Sequence, residues 1–173
     1  LPPVSPIAAG GLTQVTAVTP TTAQNPSLAN NGMLNYYNPT DGKFYRIGPD
    51  GIPQTLSSKK FFNIDKATFD KQGQKAVIEY PDGANIVYNF ATDTQVTLPK
   101  QWETFDFSPN GNEIAAKSIG TDESNRFLIT VNGDGSSAKP VQELGSNADQ
   151  VQVAWSPNNQ IIATSTKGEY QGV

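Results

Sequence analysis

The sequence contains no cysteine and no histidine. Those absences exclude disulfides, a thiolate nucleophile, a histidine-dependent triad, an imidazole general base and a zinc site of the usual Cys/His kind. Charge is also scarce. Only 16% of the 173 residues are charged, 12 Lys+Arg against 16 Asp+Glu, for a net charge of -4. That balance argues against a nucleic-acid groove or an anionic membrane surface as partner. The longest basic run, Lys59-Lys60, reads as a solvated loop. No apolar stretch approaches the ~20 residues that span a bilayer, so no direct membrane insertion is expected of this segment. Both Asn-x-Ser/Thr triplets, Asn25-Pro26-Ser27 and Asn38-Pro39-Thr40, carry Pro at the forbidden middle position.

What the chain has in quantity is 15 Gly, 13 Pro, 15 Asn and 16 Thr. Gly, Pro and Asn bend a chain and Thr suits a pleated surface, so the composition is that of turns and strands. The first 40 residues hold no charged side chain, and Asp41 is the first. Pro2, Pro3, Pro6, Pro20 and Pro26 lie among Thr, Ala and Gly there. With few large apolar groups to offset ordering entropy, residues 1–32 read as an uncharged Pro/Thr-rich linker or arm. Within it, Leu12–Val18 is β-rich and could add as a strand to another sheet.

From Met33 the chain becomes short β runs separated by turn dipeptides. Met33–Tyr37, Lys43–Ile47 and Ile52–Leu56 form one triplet. The layout returns as Lys75–Tyr80, Ala84–Phe90 and Thr94–Leu98, and again as Glu113–Ser118, Arg126–Val131 and Lys139–Leu144. Turn signals every 8–12 residues or so between β-branched and aromatic runs indicate antiparallel all-β structure. A further run precedes some triplets: Thr104–Phe107 aligns with Gln152–Trp155, and more weakly with Lys66–Phe69. The aligned aromatics Phe69, Phe107 and Trp155 are spaced 38 and 48 residues apart. Four strands per unit at this period predict four-stranded antiparallel meanders stacked as β-propeller blades. The alternative is a β-sandwich in which the similarity between units is accidental. The spacing predicts a partial blade at 33–58, blades at 61–99 and 102–145, and a partial blade at 150–173. Propellers close with about 4–8 blades, so about half a ring is expected, completed either by missing C-terminal blades or by self-association. Trp155 is expected in a buried blade position and Trp102 in a less buried linker.

Phe107-Ser108-Pro109-Asn110-Gly111 and Trp155-Ser156-Pro157-Asn158-Asn159, each followed by an apolar strand, resemble the repeat of TolB-type propellers. That family places an aromatic-Ser-Pro-Asp-Gly turn between its first two strands. Residues 33–170 also resemble uncharacterised envelope-associated propeller proteins of small uncultured bacteria. The resemblance implies a non-catalytic binding or scaffold propeller at a bacterial cell envelope. It further implies an extracytoplasmic location, tethered through a segment upstream of residue 1. The copy at 66–73 lacks Ser-Pro, so its turn is expected to depart from the pattern.

Candidate chemistry is sparse. Gly133-Asp134-Gly135-Ser136-Ser137-Ala138 matches a dinucleotide-binding pattern, but Pro140 and a β run follow where a helix is needed, so a hairpin turn is expected. Asp106 has Thr68 and Ala154 as counterparts, so its position builds no ring of carboxylates. No catalytic residue, metal site or cofactor is expected. Meander topology puts the tight turns at 49–51, 70–73, 109–111 and 132–135 on one end of the blades. The longer and more varied loops fall on the other end, and with them the candidate binding residues Asp41, Asp82, Asp122, Glu123 and Glu169. A protein partner is expected at that loop face. The alternatives are the accessory propeller of a larger hydrolase and a structural subunit of a surface assembly.

Overall fold

The computed structural model describes residues 17–158 and 162–166. Among them lie three four-stranded antiparallel sheets and one two-stranded sheet. The first sheet holds β1 (Gln24–Leu28), β2 (Leu34–Asn38), β3 (Lys43–Ile47) and β4 (Pro53–Thr55). The second holds β5 (Lys66–Phe69), β6 (Lys75–Glu79), β7 (Asn85–Asn89) and β8 (Thr94–Leu98). The third holds β9 (Trp102–Phe107), β10 (Glu113–Ile119), β11 (Arg126–Asn132) and β12 (Lys139–Glu143). Strands β13 (Val151–Trp155) and β14 (Ile162–Thr166) form the fourth. Every strand pairs with its neighbour in sequence, so each sheet is a meander. The first strands of successive sheets, β1, β5, β9 and β13, lie beside one another in that order, as propeller blades do. Two 3-10 turns, Glu123–Asn125 and Gly145–Gln150, supply the described helical turns.

One boundary moves. Residues 24–28, read as part of the arm, form β1 and complete a four-stranded first blade where three strands were expected. Gln24-Asn25-Pro26-Ser27-Leu28 buries little, and Leu28 is 65% exposed. Its place comes from backbone pairing with β2, across an irregularity between Gln24 and Ser27 next to the left-handed Asn25. Pairing of this kind leaves no hydrophobic pattern in sequence. The stretch Leu12–Thr16, the turn at 167–169 and Glu169 lie outside the described residues.

The cores lie between blades. Successive side chains on a strand point to opposite faces, and both faces of the middle blades are covered. Ala76 and Ile78 of β6 join Tyr37, Phe44, Phe61, Phe69 and Tyr88 in the first interface. Val77, between them, joins Phe105, Phe107, Ile114 and Ile129 in the second. On β10, Ile114 and Ala116 face back to that interface, and Ala115 faces on to Leu128, Val151 and Val153 in the third. Phe44 is the hub of the first interface, with ring centroids 5.1 Å from Tyr37, 5.4 Å from Phe61, 5.7 Å from Phe69 and 5.2 Å from Phe90.

The tryptophans reverse the expectation. Trp102 begins β9 and is 9% exposed in the second interface. Trp155 is only partly buried, packed at the margin of the third. β9 belongs to a four-stranded blade and has a neighbouring first strand on either side, β5 and β13, whereas β13 belongs to the two-stranded sheet.

The turns joining each blade's first two strands explain how an altered repeat keeps its shape. In the third blade, Ser108 Oγ accepts the Glu113 N–H at 3.0 Å and donates to Asn110 Oδ1 at 2.8 Å. In the second, Asp70 occupies the serine position, and its Oδ1 accepts the N–H groups of Gln74 at 2.7 Å and Lys75 at 2.8 Å. A carboxylate thus replaces the missing Ser-Pro. Asp70 also abuts the next blade. A Cβ added to Gly111, whose φ is +69, would sit 2.8 Å from Gln72 Oε1 and 3.0 Å from Asp70 Oδ2. Burial raises the Asp70 carboxyl above its ordinary range, against the backbone N–H groups that pull it down.

Three outcomes follow from this packing. Asp70→Ala orphans two N–H groups and is expected to cost about 2–3 kcal/mol in urea unfolding, with Asp70→Ser milder. Single-tryptophan variants should show Trp155 quenched by iodide more strongly than Trp102, and equal quenching would contradict the burial described. Glu79 gives the pH dependence. Its carboxyl is raised from 4.5 by burial, then by Asp65 and Glu103, against the pull of Lys66. A carboxyl with a raised folded pKa disfavours the fold when ionised, so its effect fades as pH falls from neutral towards 4.5. Glu79→Gln should therefore unfold about 1–3 °C above wild type at neutral pH, with the gap closing on acidification in a calorimetric pH series.

Candidate functional site

The two ends of the blades differ in what they leave free. At the tight-turn end, backbone carbonyls tie one blade to the next. The Asn30 N–H donates to the Lys71 carbonyl at 2.7 Å, and Gln72 Nε2 donates to the Pro109 carbonyl at 3.3 Å. Lys75 Nζ reaches the Gly111 carbonyl at 2.7 Å, and within the third blade the Gly133 N–H ties one turn to the other through the Asn112 carbonyl at 2.6 Å. Gly133–Ala138 is the hairpin turn expected of it: the Gly135 N–H donates to the Asn132 carbonyl and the Asn132 N–H to that of Ser136, between β11 and β12.

At the loop end the inter-blade linker at 57–65 runs beside the 2–3 turns of the first two blades. The Phe61 N–H donates to the Gly42 carbonyl at 2.6 Å, and Tyr37 OH donates to the Phe61 carbonyl at 2.5 Å. This pins Phe61 inwards, and Phe62, next along the chain, points out and is 52% exposed. Its ring lies on Gly42, where a Cβ would come within 2.9 Å of Phe62 Cε1. Phe62, Asn63, Tyr80, Pro81, Asp82 and Ala84 line an apolar hollow of about 450 Å³, within the size range of ligand pockets, roughly 300–1,000 Å³.

Of the five candidate acids, Asp82 lines the hollow, and Asp41 lies in the neighbouring turn beside Gly42, on which Phe62 rests. Asp41 accepts the Lys43 N–H and the Tyr45 hydroxyl, which is pushed up to about 12, first by that hydrogen bond. Asp82 accepts the Ala84 N–H at 3.0 Å and pairs with Lys100 at 3.3 Å. Those contacts, the backbone N–H foremost, lower its carboxyl. Burial raises the Tyr37 hydroxyl, with Tyr80 and then Asp41 adding to it, and burial followed by Asp82 raises Tyr80. Of these four groups only Tyr80 and Asp82 line the hollow, while Tyr37 lies in the core behind it. Asp122 and Glu123 sit apart, exposed at the 3-10 turn of the third blade.

Other polar groupings act as locks between blades. Ser57 Oγ lies 2.9 Å from Tyr88 OH and donates to Asp93 Oδ1 at 3.0 Å, and Tyr88 OH also donates to Asp93. These hydroxyls, Tyr88 first, lower the Asp93 carboxyl. The cluster ties the linker to the second blade. Asp106 accepts the Trp155 N–H at 2.7 Å, clipping β9 to β13. Buried Lys117 bridges Glu103 at 2.9 Å and the Ala148 carbonyl at 2.9 Å. Among the described residues no three or more Asp or Glu side chains are grouped to hold a metal ion, and no helix is long and apolar enough to cross a membrane.

Sequence reasoning placed the acids on this end but missed Phe62. The available signal was Phe61-Phe62, two adjacent aromatics in a linker, where alternation cannot bury both.

No family model and no curated protein sequence matches the chain. Solved structures do match in fold. TolB from Acinetobacter baumannii superposes with a TM-score of 0.61 at 12% identity, over 87% of this chain and 39% of that one. Oligogalacturonate lyase from Vibrio parahaemolyticus gives 0.56 at 11%, over 84% and 47%. The β-propeller domain of Myceliophteria thermophila Cps50 (Swd1) gives 0.52 at 15%, over 83% and 50%. The chain thus spans two fifths to a half of these structures, and its fold is that of β-propeller blades, TolB among its structural neighbours.

Proposed function

We propose that the chain is a non-catalytic protein-interaction propeller of a bacterial cell envelope, and that it engages its partner at the loop end around Phe62. The observation that carries this reading is the contrast between the ends. One is cross-tied turn to turn, whereas the other presents a half-exposed phenylalanine over an apolar hollow lined by Asp82, with Asp41 in the adjoining turn. An exposed aromatic anchor beside a pocket with polar groups at its edge is the arrangement from which interface hot spots are built. The extracytoplasmic setting is supported by the sequence resemblance to envelope propellers. The fold itself serves binding proteins and enzymes alike. The case against catalysis rests on the side chains. Asp82 and Asp41 are occupied by their own turns, and the carboxyl beside Ser57, that of Asp93, is lowered by its hydrogen bonds and so is a weak base.

The test is site-specific photo-crosslinking in intact cells of the host, with a benzophenone amino acid at position 62 and, as control, at Val141, which is equally exposed on β12. A discrete protein adduct from position 62 alone is expected. Phe62→Ala should weaken that partner's binding by about tenfold or more while leaving stability within about 0.5 kcal/mol of wild type. Matching adducts from both positions, or none from 62, would overturn the assignment of the site. Turnover of an ester, glycoside or peptide that a single Asp or Glu substitution abolishes would overturn the non-catalytic reading.

A further inference from the structure

A second hollow lies between the first two blades, away from Phe62, and its chemistry is different. Its volume is about 300 Å³, at the small end of the range for ligand sites, roughly 300–1,000 Å³. One wall is apolar: Leu56, Ala91 and the ring of Phe90, which is the outer margin of the aromatic core around Phe44. The other is polar and donor-rich: Arg46, Gln54, Thr55 and Gln74. No carboxylate lines it.

Arg46 is held rather than free to swing. Its Nε donates to Asn35 Oδ1 at 3.0 Å, and its Nη2 donates to the Gly73 carbonyl. Asn35 is wholly buried, and Gly73, at φ +68, could carry no Cβ without one lying 2.3 Å from Asn35 Nδ2 and 3.0 Å from Arg46 Nη2. The glycine and the buried amide together set the plane of the guanidinium. The ion pairs among the described residues are all made by lysines, Lys59, Lys66, Lys100 and Lys117. Arg46 has no carboxylate partner there, in a chain of net charge -4. A guanidinium offers five N–H donors in a planar fork that fits a carboxylate, and the two bonds named leave donors over. A fixed, part-buried cation without a counter-ion, beside an apolar wall, matches one ligand chemistry.

We propose that this hollow binds a carboxylate carried on an apolar body, with Arg46 taking the carboxylate by charge-assisted hydrogen bonds and Phe90, Leu56 and Ala91 taking the apolar part. A free aromatic or aliphatic acid and the C-terminal residue of a peptide share this chemistry. The site uses no residue of the Phe62 hollow and stands independently of the function proposed above.

The chain's two arginines make the test direct. Arg46 and Arg126 each donate an Nε hydrogen bond, the latter to the Gly120 carbonyl at 3.3 Å. Both Nε–Hε signals can therefore be followed by ¹⁵N NMR on the whole chain, Arg126 serving as internal control. The probes are benzoate for a free acid, N-acetylphenylalanine for a peptide C-terminus, N-acetylphenylalaninamide as the uncharged counterpart, and chloride at matched ionic strength. At least one acid should move the Arg46 signal saturably, with a midpoint in the millimolar range, while Arg126 stays in place and the amide and chloride leave both unchanged. Which acid binds more tightly assigns the source. Followed by the side-chain amide signals of Gln54 and Gln74, Arg46→Lys should weaken binding at least about tenfold. Thr55→Phe on the exposed strand, which fills the hollow and keeps Arg46, should abolish it even if Arg46→Lys does not fold. Shifts linear in concentration, equal shifts at Arg126, binding of the amide as tight as the acid, or unchanged binding in Thr55→Phe would each overturn the proposal.

Discussion

Val77 and Ile78 are neighbours in the chain and belong to different cores. The rest of the structure depends on that division. A pleated strand sends alternate side chains to opposite faces, and a blade apolar on both faces cannot shield itself. It requires a blade on either side. Each middle strand of the second and third blades therefore reads as a short unbroken apolar run, Ala76-Val77-Ile78 or Ile114-Ala115-Ala116, instead of alternating. Stability of this kind is held between nearest neighbours, as in other repeat architectures. The relative placement of two blades, and of the loops they carry, is set by side chains such as Phe44 and Phe107 that lie between them.

That placement is reinforced unevenly at the two ends. Tight turns cannot project far, so their groups meet across blades and satisfy one another, as Asn30 does with Lys71 and Lys75 with Gly111. The longer linkers at the other end must cross from the outer strand of one blade to the inner strand of the next. In doing so they bury one side of themselves and present the other. Phe61 and Phe62 show the outcome in two consecutive residues: one completes the core with its carbonyl bound to Tyr37, and the other is half exposed. The Arg46 hollow arises from the same geometry seen from the flank, where the outer strand of one blade and the turns of the next leave a gap that their backbones do not fill.

Much of this was legible in the residues. The runs Lys43–Ile47 and Thr94–Leu98 coincide with β3 and β8 residue for residue, because Asp-Gly and Thr-Asp turns bracket them and both strand composition and turn chemistry point the same way. Asp41 and Asp82 fell on the loop end because meander parity alone decides which turns share an end. What could not be read were features with no local pattern. β1 is held by backbone pairing. Asp70 replaces a serine through geometry that only the folded turn reveals. The burial of Trp102 over Trp155 depends on how many strands flank each.

The sequence by itself determined the strands, the turns that separate them and the repeat that makes them blades, since these rest on the preferences of residues a few positions apart. It also determined, through two missing residue types, which chemistry is absent. Only the tertiary structure decided which side of each linker faces out, that Phe62 and Tyr80 share one hollow, and that Arg46 stands without a carboxylate beside Phe90. Those facts belong to contacts among blades and linkers, and a contact between residues far apart in the chain leaves no mark on either one's neighbours in the sequence.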